Sequence, residues 1–190
     1  MRKEIMELAK AVKTNGGHVF YPFDDEEAYI DNILTYISIA LDEGSHIMII
    51  ENDRIMPQIE KKISQTYKQE QIEMIHPINN YDFYCYRGNF HKDTILSYLK
   101  NMVNPYLEKK IPIMTWAHVE WRDQDEIYQT LGEYEHEADK MLSGTDSVTV
   151  CAYDANRVPP SLKETLLDCH DYFMTDGKIK VIDRNKATAE

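Results

Sequence analysis

The chain has 190 residues, 43% of them hydrophobic and 28% charged, which suits one globular domain with a sizeable core and excludes extensive disorder. Its formal net charge is -12, from 33 acidic against 21 basic residues. That balance repels phosphate backbones. With no basic footprint in the sequence, direct nucleic-acid binding is excluded as a function class, leaving proteins and small molecules as partners.

The opening MRKEIMELAKAV has no long apolar core and no small-residue cleavage site, so it does not read as a signal peptide. Over residues 4–13 it sets Ile5, Leu8, Ala9 and Val12 on one helical stripe. A helix this short is marginal alone and must dock on the body or on a partner. Thr14-Asn15-Gly16-Gly17 breaks it, and His18–Phe23 reads as a strand. Asp24 and Asp25 cap a helix running to about Glu43, whose stripe is Ile30, Ile33, Leu34, Ile37 and Leu41. Gly44 ends it.

His46–Ile50 is an apolar strand, and Arg54–Tyr67 a helix with Pro57 in its first turn. Ile72–His76 is the next strand. Pro77–Phe90 is aromatic and irregular, and reads as a long loop holding at most a short strand. Asp93–Glu108 is a helix, Ile111–Val119 a strand, Asp123–Leu142 a long helix and Ser147–Tyr153 a strand. Pro159–Asp168 is a helix. Tyr172–Met174 and Lys178–Ile182 are spaced to pair as a hairpin around Asp176-Gly177, and the tail 184–190 is loose. This divides the chain into an N-terminal helix (1–15), a single α/β domain (16–183) and the tail.

Alternating strands and helices imply βαβ units: a three-layer α/β fold with a mostly parallel sheet flanked by helices. Continuous apolar strands such as IMII and VTVCAY fit a sheet covered on both faces. No segment approaches the roughly 20 apolar residues that span a bilayer. The three cysteines, Cys85, Cys151 and Cys169, form no CxxC pair, which argues against a disulfide framework and a zinc ribbon. Together these features point to a reducing cytoplasm.

In open α/β sheets, ligands bind outside the carboxyl ends of the strands. Three such places stand out: Tyr21 to Asp25, the segment with His118, Glu120 and Trp121, and Tyr153-Asp154 with Arg157 beyond. A phosphate-binding ATPase would carry G-x-x-x-x-G-K-[ST] after its first strand. This chain has YPFDDEEA there, with no lysine or arginine from Thr14 to Asp53. Clustered carboxylates repel a triphosphate. The predicted crevice is acidic and aromatic, with no cation until Arg157. Glu135 falls on the apolar row of Tyr128, Leu131, Ala138 and Leu142. It is either a half-exposed boundary acid or a buried one paired with Arg122, Arg157 or a tyrosine hydroxyl.

Other constellations are incomplete. Glu133-x-x-His136 is half of a di-iron helix motif, with no second copy. His118-x-Glu120 lacks the P-C-x-x-C of the zinc deaminases. His170 reads as a core histidine, and Cys151 and Cys169 as buried apolar residues rather than nucleophiles. No metal ligands and no cofactor are predicted.

GGHVFYPFDDEE, ALDEGSHIMIIE, HVEW, EYE and VCAYD…R with a later histidine together resemble the MEDS (methanogen/methylotroph sensory) domain family, over about Gly16 to Met174. That family includes a dichloromethane-responsive repressor. The resemblance implies a RecA/KaiC-like fold without a phosphate loop, used for sensing, and no catalytic residues. It carries over His18, Tyr21, Glu120, Glu135, Tyr153, Asp154 and Arg157 as ligand-pocket candidates, to which the strand-end reading adds Asp24 and Trp121. The match departs at Trp116-Ala117-His118, where an arginine and a glycine would precede the acid.

The expected function is a non-enzymatic signalling protein acting in trans on a histidine kinase or transcription factor, gated by a small ligand. The N-terminal helix and the aromatic loop are its nominated contact surfaces. A homodimer is compatible with the sequence, although no motif demands it. The alternatives are a small-molecule hydrolase using Glu120 or Asp154 as general base, and a degenerate nucleotide-binding protein.

Overall fold

Among the described residues seven strands form one sheet, in the order β3-β2-β4-β5-β1-β6-β7. The computed structural model describes residues 2–12, 17–142, 145 and 147–183. The strands are β1 (Gly17–Phe23), β2 (His46–Glu51), β3 (Ile75–Asn79), β4 (Ile113–His118), β5 (Val148–Asp154), β6 (Tyr172–Thr175) and β7 (Lys178–Val181). All neighbours pair in parallel except β6 and β7, which form the antiparallel hairpin around Asp176-Gly177. Every residue of β4 is buried, as expected for a central parallel strand covered on both faces.

The helices are α1 (Arg2–Val12), α2 (Glu26–Asp42), α3 (Met56–Thr66), α4 (Gln69–Ile72), α5 (Asn80–Cys85), α6 (Lys92–Glu108), α7 (Ile127–Leu142) and α8 (Pro160–Cys169). On one sheet face α1, α2 and α3 bury Ile5, Ile33, Ile37, Ile59 and Trp116. On the other, α5, α6, α7 and α8 bury Phe83, Leu99, Leu131 and Leu166 against Phe20 and Cys151. This is the three-layer, mostly parallel α/β fold that the alternation of elements predicts. Helix α1 lies against α2 and β7, with Ile5 and Leu8 buried, so its apolar side is used within the chain. The predicted break at Thr14-Asn15-Gly16, the loose tail 184–190 and the side chains of Ala9 and Val12 lie outside the described residues.

Local chemistry explains where boundaries differ from the sequence reading. Helix α7 starts at Ile127 and not at Asp123, because Glu126 has φ 56, a left-handed conformation that a helix cannot include. Strand β3 starts at Ile75 and not at Ile72, because 69–72 forms a helical turn whose Gln71 side chain accepts from the Lys68 backbone N–H. The segment 77–90 is not a long loop. It completes β3 and then enters α5, where the Asn79 side chain accepts from Asp82 N–H at 3.0 Å as an N-cap. At the C-terminal end of α2, Gly44 has φ 71, a left-handed conformation that favours a residue without a Cβ. Among the described residues no helix is long and apolar enough to cross a membrane.

Candidate functional site

The carboxyl ends of β1, β2, β4 and β5 gather on one edge of the sheet, where this architecture places ligands. Only Asp24 and Asp25 join β1 to α2. Asp25 is consumed as the N-cap, its carboxylate accepting from Ala28 N–H at 2.8 Å. Glu26 in the first turn pairs with Arg54 from the β2–α3 connection. The crevice therefore has a cation before Arg157, which corrects the sequence reading. The distant turn between β2 and α3 folds back onto the β1–α2 turn, a contact that periodicity alone does not reveal.

Arg157 is also engaged. It donates to Glu120 and to the Trp121 carbonyl, and its guanidinium stacks 4.1 Å over the Trp121 ring. Asp154 accepts from Asn156 N–H at 3.0 Å, closing the short 3-10 turn at 155–157. Tyr21 donates to Asp176 of the hairpin turn at 2.5 Å and accepts from Asn32 at 3.0 Å. Burial, with Asp176 beside it, holds the Tyr21 phenol well above its usual pKa.

On the α2 side of the sheet a polar network centres on Glu51, which is fully buried at the end of β2. Its carboxylate accepts from the Tyr29 hydroxyl at 2.5 Å and the Asn52 N–H at 2.7 Å, and lies 2.7 Å from His118 Nδ1. Trp116 Nε1 donates to the same Tyr29 hydroxyl at 2.8 Å. Burial first, then the Glu51 carboxylate, push Tyr29 well above the usual phenol range, so it remains a donor.

On the opposite face a second cluster forms around Glu135, which is 0% exposed. Tyr153 donates to Glu135 Oε1. Glu135 Oε2 has no hydrogen-bond partner among the described residues, yet it lies 3.3 Å from His18 Nε2 and 3.8 Å from His170 Nε2. His18 Nε2 is 3.2 Å from Cys151 Sγ, and the two imidazoles stack with centroids 3.8 Å apart. Burial opposes charge on His18, but Cys151, Asp139 and Glu135 outweigh it and raise its pKa. Burial, reinforced by Glu135, pushes the Cys151 thiol up to about 11. An interior cavity of about 10 Å³ touches His18, Thr149 and Cys151. That volume is near the minimum for one water and far below the several hundred Å³ of an organic ligand site.

The predicted site residues thus fall into separate groups. His18, Glu135 and Tyr153 meet beneath one sheet face, and Tyr21 lies on the other, as the alternation of β1 side chains requires. Glu120, Trp121 and Arg157 bind one another, Asp154 caps a turn, and Asp24 is exposed at the β1–α2 turn. Tyr21 and Tyr153 are both fully buried, so the single crevice expected beside them is filled by side chains. Glu135 is the buried acid and takes the tyrosine partner, not Arg122 or Arg157. The sequence reading missed Glu51, whose signal was an acid closing the apolar run IMII. It also missed Cys151 and His170 as members of the Glu135 cluster.

The chain belongs to the MEDS family: the profile described as MEthanogen/methylotroph, DcmR Sensory domain matches residues 17–171. No curated protein sequence matches the chain. In fold it is similar to the ATP synthase subunit NeqB from Nanoarcheaum equitans, with a TM-score of 0.53 at 10% identity, covering 86% of this chain and 47% of that one. It is also similar to a second solved protein, an ATPase domain, with a TM-score of 0.52 at 10% identity, covering 84% of this chain and 68% of that one. Such distant likenesses show a shared RecA-like fold and nothing of activity.

Proposed function

We propose, from that family membership, that the chain is a sensory signalling domain that works by contact with a regulatory protein and does not hydrolyse a nucleoside triphosphate. The observation that carries this reading is the β1–α2 connection. A phosphate loop occupies about eight residues between strand and helix, with glycines to expose backbone N–H groups and a lysine for the phosphates. Here two aspartates make the whole connection, and one of them already occupies the helix N-terminus. The positive end of the α2 dipole is therefore engaged internally, in a place where an anion would otherwise bind.

The sensory description of the family supports the signalling half of the proposal. The partner is a histidine kinase or a transcription factor, and a small ligand shifts the contact by binding one conformation better than the other. Calorimetry of the full chain with ATP and Mg²⁺ is expected to give no saturable heat; micromolar binding would overturn the nucleotide half. Affinity capture from the native cytoplasm is expected to recover a regulator near one-to-one, and recovery of none would count against the signalling half.

A further inference from the structure

The fold brings His18 of β1, Glu135 of α7, Cys151 of β5 and His170 just after α8 into one buried cluster, with one potential ligand atom from each lying within 4.8 Å of the others. We propose that these four side chains form a closed binding site for a borderline-soft divalent transition-metal ion of the zinc class. The proposal goes beyond the signalling reading and does not depend on it.

Three independent features support the assignment. The first is ring orientation. His18 Nδ1 lies 3.2 Å from the Cys169 carbonyl and 3.5 Å from Asp139, while His170 Nδ1 lies 2.6 Å from the Leu166 carbonyl. A carbonyl only accepts, so both Nδ1 atoms carry a hydrogen and both Nε2 atoms face the cluster, where each can ligate when it holds no proton. Metal-bound histidines are held in this way, with the far ring nitrogen fixed by a carbonyl or carboxylate.

The second feature is Glu135. Its Oε1 accepts from Tyr153, and its Oε2 is directed at two imidazole nitrogens, 3.3 Å from His18 Nε2 and 3.8 Å from His170 Nε2. A buried carboxylate in this position needs a cation beside it; a protonated His18 ring is one, and a metal ion bound at the deprotonated rings is another.

The third is size. Tetrahedral zinc with bonds of about 2.0–2.3 Å sets its ligands roughly 3.3–3.7 Å apart. His18 Nε2 already stands 3.2 Å from Cys151 Sγ and 3.3 Å from Glu135 Oε2. The neighbouring cavity of about 10 Å³ admits nothing larger than a water or an ion.

Two imidazoles, one thiolate and one carboxylate make a mixed N₂SO set that suits zinc or cobalt better than the hard magnesium or calcium. Four protein ligands leave no open position, so the ion would clamp β1, β5, α7 and the end of α8 together rather than activate a substrate. On binding, the metal–sulfur bond forms as the Cys151 thiol proton leaves to solvent, together with the His18 Nε2 proton where that ring is protonated.

The test uses the full chain, stripped with a chelator and titrated with Zn²⁺ or Co²⁺ alone. One equivalent of Zn²⁺ should bind, and Co²⁺ should give a tetrahedral visible spectrum with a thiolate charge-transfer band. Cys151→Ser should remove that band and weaken Zn²⁺ at least tenfold, while Cys85→Ser changes neither. Absence of stoichiometric Zn²⁺ binding, or equal binding by Cys151→Ser, would overturn the proposal and leave the signalling reading intact. X-ray absorption of the zinc-loaded wild type removes the dependence on a folded variant. One sulfur with three nitrogen or oxygen neighbours is expected, and a shell without sulfur refutes the site.

Discussion

Tyr29 serves two buried groups with one hydroxyl, donating to Glu51 and accepting from the Trp116 indole. Removing it strands a carboxylate oxygen and an N–H together. Each buried group left unpaired costs about 1–3 kcal/mol. Tyr29→Phe should therefore destabilise the chain by about 2–4 kcal/mol in urea denaturation, despite losing only one atom. A loss below about 1 kcal/mol would mean that water or a shifted Asn52 takes over the hydroxyl's role. At this scale the sequence left one acid open between half-exposed and buried, and hid the other. Glu135 betrayed itself by standing on a helical apolar row, where a carboxylate needs a partner. Glu51 closes a strand that is apolar on both faces, so no alternation marked it as buried. Its partners Tyr29 and His118 come from elements that the topology alone brings together. The same holds for Cys151 and His170, which no spacing connects.

Helices α7 and α8 pack tightly at Gly132, where an added Cβ would meet Thr165 Cγ2 at 2.5 Å. Two effects compete in Gly132→Ala. Alanine raises helix propensity by about 0.5–1 kcal/mol. Overpacking costs about 1–3 kcal/mol. The Thr165 hydroxyl is tied to the Ser161 carbonyl, which opposes the rotation that would clear the space. Overpacking should therefore win, with Gly132→Ala alone destabilising by about 1 kcal/mol. Adding Thr165→Ala should reverse the sign, and a double-mutant cycle measures both terms. The sequence marked the strands and the longer helices, because apolar periodicity and turn residues are local properties. It misplaced the segment at 69–90, where the deciding interactions are a side-chain cap at Asn79 and a helical turn at 69–72. It could not show that Gly132 is a packing glycine, since the contact is with another helix.

Parallel strands deliver their carboxyl ends to one edge of the sheet, and in this chain those ends are acidic. Asp24, Asp25, Glu26, Asp53, Glu120 and Asp154 lie there, with Asp176 joining them from the hairpin turn. Of the arginines nearby, Arg54 is paired with Glu26 and Arg157 with Glu120. Burial, followed by the neighbouring Asp24 and Asp25, raises the pKa of Asp176, a sign that charge at this edge is unfavourable. The whole chain carries -12, so the same repulsion acts across the molecule. Salt has two opposing effects. It weakens exposed ion pairs such as Arg2–Asp42 and Lys92–Glu137, each of which contributes little on its own. It also screens the acidic excess, whose range at about 0.01 M salt is roughly 30 Å and spans the whole sheet edge. The long-range term sums over many carboxylates and should prevail. The melting midpoint, measured with chelator present, should rise by a few degrees between about 0.01 M and 0.15 M NaCl, where roughly 1 kcal/mol corresponds to 2–4 °C. Asp24→Asn, which spares the Asp25 cap, should raise the midpoint at low salt and have less effect at high salt. A midpoint that falls with salt would show that the ion pairs, and not the acidic edge, govern the electrostatics of this fold.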